Sequence, residues 1–358
     1  MLTKAATSRA GGRRSRDWAR FVLLSITGQG LIMVSFWVAG RVLPVEAFGR
    51  FMANWVLITQ VAVVANFGLD TWLLRQAARE EPGQALGQAL ATKAVGWVVL
   101  LPLAILGVPA LQPQAYSRLL LGLAGAAAFA MGLGTSVVAT LLGQMRILAA
   151  GLLRSGTGAA MAAAALILYL RGGGTEAAFM AARVGGAALA LAAAGAPLRH
   201  GSFRPHLPRR LVWREGLPFV ASDVFAQVHI SADVVLLGLL ASERVVGIYA
   251  PASVIVNGLF FVPNAIYSLL IPRFARLQQR EEAGLSREVG LASASMSVLG
   301  IALALPLFLG RYLLIEGIYG VRYAESAAVL GLLAGLLVPK CLSFALAAYL
   351  TASGRQSV

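Results

Sequence analysis

Charged residues are scarce in this 358-residue chain: Asp, Glu, Lys and Arg together make up 13%. A soluble domain carries about 25%, so an ordinary water-facing surface is excluded. Cysteine is rarer still. The one present, Cys341, sits inside an apolar run, which rules out a disulfide framework. Only three histidines accompany it, and no metal-ligand spacing appears. A phosphate-binding glycine loop is missing too, because Gly172-Gly173-Gly174 lacks the strand, helix and lysine that such a loop needs. Acids are the scarcer sign, 15 against 30 Lys and Arg, giving a net charge of +15. In a soluble protein that excess would point to nucleic acid. Here no nucleic-acid partner is expected, because the basic residues gather in alternate connections between apolar runs.

What the chain has in abundance is apolar sequence, 58% of its residues. Phe21–Gly40 is twenty residues without a charge. At a rise of roughly 1.5 Å per residue, such a run spans a hydrocarbon core of about 30 Å. Residues 41–51 break the pattern, with Pro44 and Gly49 as punctuation and Arg41 and Arg50 near either end. A second apolar run, Phe51–Leu69, closes with Asp70 and Arg75. A shift of 198 residues places Gln29 on Gln227, Gly49 on Gly247, Phe51 on Tyr249, Asn66 on Asn264 and Arg75 on Arg273. Apolar filler matches anywhere in a membrane protein. Two amides, a glycine and an arginine in one gapless register indicate an internal repeat, a common build for transporters.

The pattern predicts an all-α polytopic transmembrane helix bundle of ten spans. These are Phe21–Gly40, Phe51–Leu69, Ala89–Val108, Leu119–Leu142, Leu148–Leu170, Ala177–Ala196, Leu217–Leu240, Gly247–Ile271, Val289–Leu309 and Ala324–Leu350. The first is read as uncleaved, since a signal peptide has a shorter apolar core. Spans five and six are rich in small residues that let helix backbones approach, so both are expected to be packed inside their bundle. A basic N-terminus, 1–20, precedes an N-lobe of six spans, 21–198. The polar connection 199–214 holds five arginines, His200 and His206, and links to a C-lobe, 215–358. By this topology twenty Lys and Arg lie on the N-terminal side and seven on the other, which makes the N-terminus and the linker cytoplasmic. The second lobe is then two spans short of the first, and further helices are expected beyond Val358.

The basic N-terminus, the turn Leu43-Pro-Val-Glu-Ala-Phe-Gly-Arg-Phe51 and the segment Asn66-Phe-Gly-Leu-Asp-Thr-Trp-Leu-Leu-Arg75 resemble the opening of O-antigen and polysaccharide flippases. Asp233 through Gly247-Ile-Tyr-Ala250 is similar to the start of that family's second half. The family belongs to the multidrug/oligosaccharidyl-lipid/polysaccharide exporter superfamily. The resemblance implies two pseudo-symmetric six-helix lobes around a central cavity, the second truncated here. It also implies transport of undecaprenyl-diphosphate-linked oligosaccharide to the periplasmic leaflet of the bacterial inner membrane. The implied partners are that lipid-linked glycan, membrane lipid, and polysaccharide polymerase and assembly proteins.

A charge at mid-membrane costs roughly 2.5–3.5 kcal/mol on insertion scales, so one that persists faces a cavity or a partner. Span seven is the most polar, with Ser222, Asp223, Gln227, His229, Ser231 and Asp233. At about 100° per residue these make one broad face. Its counterpart in span one carries Ser25, Gln29 and Ser35. Such stripes line either a hydrated cavity or a seam of interhelical hydrogen bonds. Arg183 in span six and Lys340 beside Pro339 in span ten are candidates for a lipid diphosphate, since a cation in a low dielectric attracts it and Arg binds phosphate bidentately. Alternatively each snorkels or pairs with a carboxylate. Lys93 is expected to snorkel, Asp70 to pair with Arg75 or Arg79, and Arg41 and Glu46 to mark the interface. Asp223 and Asp233 are the candidates for Na⁺ or H⁺ coupling, and no other cofactor is expected.

An enzyme is disfavoured: a membrane glycosyltransferase or polymerase would show acidic catalytic residues in a large periplasmic loop, whereas Glu316 and Glu325 are isolated. A cation-coupled multidrug exporter is the nearer alternative, and would favour acids deep in the first lobe. The expected function is therefore a flippase working by alternating access.

Overall fold

The computed structural model describes residues 2–77, 82–198, 212–279 and 284–352. The linker 199–211 with His200 and His206, together with Arg79, lies outside the described residues. Hydrocarbon offers no hydrogen bonds to exposed backbone, so only helices satisfy a chain of this composition. Among the described residues the fold is all-helical, and nine stretches are long and apolar enough to span a bilayer. The helices fall into two compact units, Met1–Gly247 and Ile248–Val358.

The first unit holds α1 (Leu2–Val42), α2 (Val45–Asn66), α3 (Leu69–Gln76), α4 (Pro82–Leu111), α5 (Arg118–Gly143), α6 (Ile147–Leu170), α7 (Glu176–Leu198), α8 (Trp213–Leu240) and the start of α9 (Glu243–Leu259). Expected span two is α2 up to Asn66, and a separate short helix, α3, begins at the span's last residue, Leu69. α2 ends at Asn66, and Phe67 and Gly68 both turn left-handed, with φ of 48° and 66°, before α3 begins. Glycine takes that conformation without penalty, so the Phe-Gly pair breaks the helix inside an apolar run. α8 is helical over the whole of the expected span seven.

Packing corrects the expectation for span five. α2 and α5 are the most enclosed helices, whereas α6 leaves Leu152, Ile167 and Leu170 exposed. Its small residues serve one face only, where a Cβ on Gly158 would lie 2.1 Å from the Gly28 carbonyl oxygen of α1. The α4–α5 connection is pinned by buried Asn54, which donates to the carbonyls of Arg50 (2.7 Å) and Ala115 (2.9 Å) and accepts from the Ser117 N–H (3.2 Å). Beside it Tyr116 is buried, and desolvation pushes its phenol up to about 12, so it stays neutral.

The repeat becomes physical where α2 meets α9. A Cβ on Gly49 would lie 1.8 Å from the Glu243 carbonyl oxygen, and one on Gly247 would lie 2.0 Å from that of Val45. Val45 and Glu243 are equivalent under the 198-residue shift, as are the two glycines. The contact is therefore isologous within one chain, each helix using the same patch. Glu46 pairs with Arg244 at 3.1 Å, again across equivalent positions, so Glu46 does more than mark the interface. That pair is half-exposed and stabilises little; the backbone approach dominates.

The second unit holds the rest of α9, then α10 (Phe261–Gln279), α11 (Leu285–Leu309), α12 (Arg311–Tyr319), a 3-10 turn (Val321–Tyr323), α13 (Ser326–Gly335) and α14 (Leu337–Ala352). Expected spans eight and ten are each interrupted, at Phe260 and Leu336. Pro263 and Pro339 follow each break by three residues and have no N–H to return to the preceding turn. α14 packs on both α10 and α11 through Met296, Cys341 and Ala345, with Ile266, Leu299 and Phe344 around them.

Gly49→Val forces two backbones apart at the crossing, an overpacking of the kind that costs about 1–3 kcal/mol or more. The expected outcome is a lowered thermal midpoint and loss of monodispersity on size-exclusion chromatography. Gly107→Ala, where nothing lies within 4 Å of the added Cβ, should leave both unchanged.

Candidate functional site

Among the described residues the first unit buries two cations, and they are satisfied differently. α7 is anchored at its start, where the Glu176 carboxylate accepts from Arg50 Nε at 3.1 Å and Nη2 at 3.0 Å. Two turns further in, Arg183 is 2% exposed. Its guanidinium carbon lies 4.2 Å from the Phe36 ring centroid and 4.0 Å from that of Trp55. Arg183 Nη1 donates to Ser35 Oγ at 2.8 Å, while the Ser35 hydroxyl donates to the Ile32 carbonyl at 2.6 Å.

The rings cover the faces of the guanidinium and leave its edge. Arg183 Nε and Nη2 are buried and have no hydrogen-bond partner among the described residues. Cation–π contacts contribute about 0.5–2 kcal/mol each, whereas a buried donor left unmade costs about 1–3 kcal/mol. The arrangement is thus short of an acceptor. An oxyanion that presents two oxygens in one plane would supply it, in the bidentate geometry guanidinium favours.

The second cation has a carboxylate partner. Lys93, 2% exposed, donates from Nζ to Asp70 Oδ1 at 2.7 Å and to the Gly132 carbonyl at 3.0 Å. Asp70 also accepts from Thr135 Oγ1 at 2.9 Å and Ser136 Oγ at 3.2 Å. Lys93 therefore does not snorkel, and the ion pair of Asp70 is with Lys93 rather than with an arginine of its own helix. The break at Phe67–Gly68 is what turns the first turn of α3, and Asp70 with it, toward α4 and α5. Asp223 on α8 interacts electrostatically with both Lys93 and Asp70. The start of α8 is held nearby, as the Val212 N–H donates to Thr92 Oγ1 at 3.0 Å. One lysine thus sits in the field of two carboxylates.

The remaining sequence candidates do not join either cluster. Gln29 is exposed on α1, and Ser25 is half-buried with its hydroxyl unpartnered. Gln227 donates to Ser231 at 3.4 Å along α8, and the Asp233 carboxylate accepts the Val234 N–H at 2.9 Å. The side chains of Ser222 and His229 lie outside the described residues. In the second unit Lys340 places its ammonium 4.4 Å from the Phe260 ring centroid. Sequence reasoning missed Thr135, Ser136 and the aromatic pair around Arg183. A hydroxyl pair inside an otherwise apolar span was the one local signal for the former.

A family model described as polysaccharide biosynthesis protein matches residues 15–278. The chain belongs to that family. Its fold is similar to that of a multidrug resistance MATE family transporter of the MOP superfamily in an inward-facing conformation. The TM-score is 0.72 at 16% identity, covering 92% of this chain and 81% of that one. The eukaryotic MATE transporter AtDTX14 gives a TM-score of 0.64 at 16% identity, over 96% and 83% of the two chains. Lipid II flippase MurJ, in an inward closed conformation, gives 0.64 at 9% identity, over 94% and 74%. A comparison with curated protein sequences finds no significant match. This member of the polysaccharide biosynthesis protein family is thus a multi-pass membrane protein with the fold of transporters and flippases.

Removing one partner of a buried ion pair costs about 3–5 kcal/mol, while replacing both by apolar groups is near neutral. Lys93→Met alone should lower the thermal midpoint sharply, and Lys93→Met with Asp70→Leu should recover most of the loss. Equal midpoints for the single and double variants would show that the pair does not hold the helices.

Proposed function

We propose that the chain is a flippase. It moves an undecaprenyl-diphosphate-linked oligosaccharide, an O-antigen or other surface polysaccharide repeat unit, from the cytoplasmic to the periplasmic leaflet of the bacterial inner membrane. The observation that carries this reading is Arg183, a buried cation with two donors unpartnered and no ion pair to a carboxylate among the described residues. A diphosphate supplies both the charge and the paired oxygens that this guanidinium lacks. The family's description as polysaccharide biosynthesis protein agrees with a glycan cargo, and a lipid II flippase shares the fold.

The two lobes, 21–198 and 215–358, are assigned alternating access about the basic linker, with the N-terminus cytoplasmic. The diphosphate and sugars occupy a polar cavity while the lipid tail stays in the bilayer. Ser25, Gln29, Gln227, His229 and Lys340 are assigned to the sugar and phosphate path. Coupling to Na⁺ or H⁺ is assigned to Asp223 and Asp233. Asp223 is the better supported, because Asp70 already neutralises Lys93 and leaves the second carboxylate in excess. Polymerase and assembly proteins that take up the product are the expected protein partners. A multidrug exporter has less use for an uncompensated buried cation.

In a strain lacking the gene, extracted lipids should accumulate undecaprenyl-diphosphate-linked oligosaccharide by mass spectrometry. The intact gene should reverse this and Arg183→Ala should not, at equal membrane abundance. Arg183→Lys, which keeps charge but loses the paired donors, should restore only part of the transport. Asp233→Asn should slow transport; wild-type rates would remove that residue from the coupling site. No accumulation, with surface glycan unchanged, would overturn the flippase reading in favour of the multidrug exporter.

A further inference from the structure

The second unit contains a crevice of about 450 Å³ between α10 and α11. That is within the roughly 300–1,000 Å³ range of ligand clefts. It exists because α10 and α11 both pack on α14 and meet each other over far less of their length. The walls are apolar: Ile266 and Leu270 on α10, Leu291, Met296 and Leu299 on α11. One end is charged. Arg273 Nη2 lies 2.8 Å from Glu288 Oε2, with side-chain exposures of 61% and 32%.

The charged end lies beside the connection between α10 and α11. Arg273 lies six residues before the end of α10 and Glu288 three after the start of α11, both at the same end of the hairpin. At about 1.5 Å per residue these lie roughly 9 Å and 5 Å from the helix ends, near where a bilayer whose surface met those ends would pass from its polar zone to hydrocarbon. From Glu288 to Leu299 the crevice runs eleven residues along α11, roughly 16 Å. That is about half of a 30 Å hydrocarbon core, the reach of one leaflet.

We infer that this crevice seats one aminophospholipid, with an acyl chain along Ile266, Leu270, Leu291 and Leu299 and its headgroup on Arg273 and Glu288. The length selects a lipid of a single leaflet. The charges select the headgroup: a phosphate accepts from the guanidinium, and an ammonium donates to the carboxylate, so a zwitterion matches the pair in both signs. An anionic headgroup meets Arg273 but is repelled by Glu288, and a neutral diacylglycerol satisfies neither. The site is separate from the Arg183 site and stands whether or not the chain is a flippase.

The test is native mass spectrometry of the full chain in detergent, with equal amounts of phosphatidylethanolamine, phosphatidylglycerol and diacylglycerol. Phosphatidylethanolamine should be the lipid retained. Arg273→Gln should lower its retention about tenfold, as expected for one charge-assisted hydrogen bond. Glu288→Gln should shift preference toward phosphatidylglycerol. Ser295→Trp, at an exposed lining position, should fill the crevice and abolish retention while leaving the circular dichroism unchanged. Equal retention of the three lipids, a preference for phosphatidylglycerol in the unaltered chain, or retention unchanged in Ser295→Trp would each overturn the assignment.

Discussion

Hydrocarbon cannot hydrogen-bond, and nearly every feature of this chain is a response to that fact. It turns the backbone into helices and confines irregular backbone to places where protein covers it. It also gives each buried charge only three options: a partner, an aromatic face, or a ligand that arrives from outside. Lys93 takes the first, donating to a carboxylate on α3 and a carbonyl on α5, while two α5 hydroxyls donate to that same carboxylate. Arg183 takes the second on two sides, gives Nη1 to the Ser35 hydroxyl, and leaves Nε and Nη2 unmet among the described residues. In water the two cations would be interchangeable. In the membrane they are opposites, one paired to a carboxylate across helices and the other held between aromatic faces with two donors left over.

Helix breaks in this chain follow the same economy. The left-handed pair Phe67–Gly68 swings Asp70 into the bundle, so a turn placed inside an apolar run is what allows a carboxylate to reach Lys93. The breaks at Phe260 and Leu336 belong to prolines, which remove a donor that hydrocarbon could not have replaced. The Phe260 break also has a chemical use, since the ring of that residue faces the Lys340 ammonium.

Much of the fold was legible in the sequence because length and hydropathy act locally. The limits of α5, α6 and α11 lie close to their expected spans for this reason. The 198-residue register was legible as well, and it located Gly49 and Gly247 before any contact was known. Illegible were pairings between distant helices. Asp70 is five residues from Arg75 and twenty-three from Lys93, and nothing in the spacing favours the farther partner. Arg183 could be singled out as a charge in an apolar run, but Phe36 and Trp55 looked like filler until three helices brought them together. The interrupted spans were missed because proline is ordinary in membrane helices and signals a break only weakly.

The crossing of α2 and α9 uses one surface patch twice, once from each copy of the repeat. A single lesion in either copy therefore meets a carbonyl from the other, and the second copy offers no relief. Duplicated segments ordinarily free each other to diverge. At Gly49 and Gly247 the duplication does the reverse: it joins two positions into one constraint, which the halves must keep together however far the rest of their sequence drifts apart.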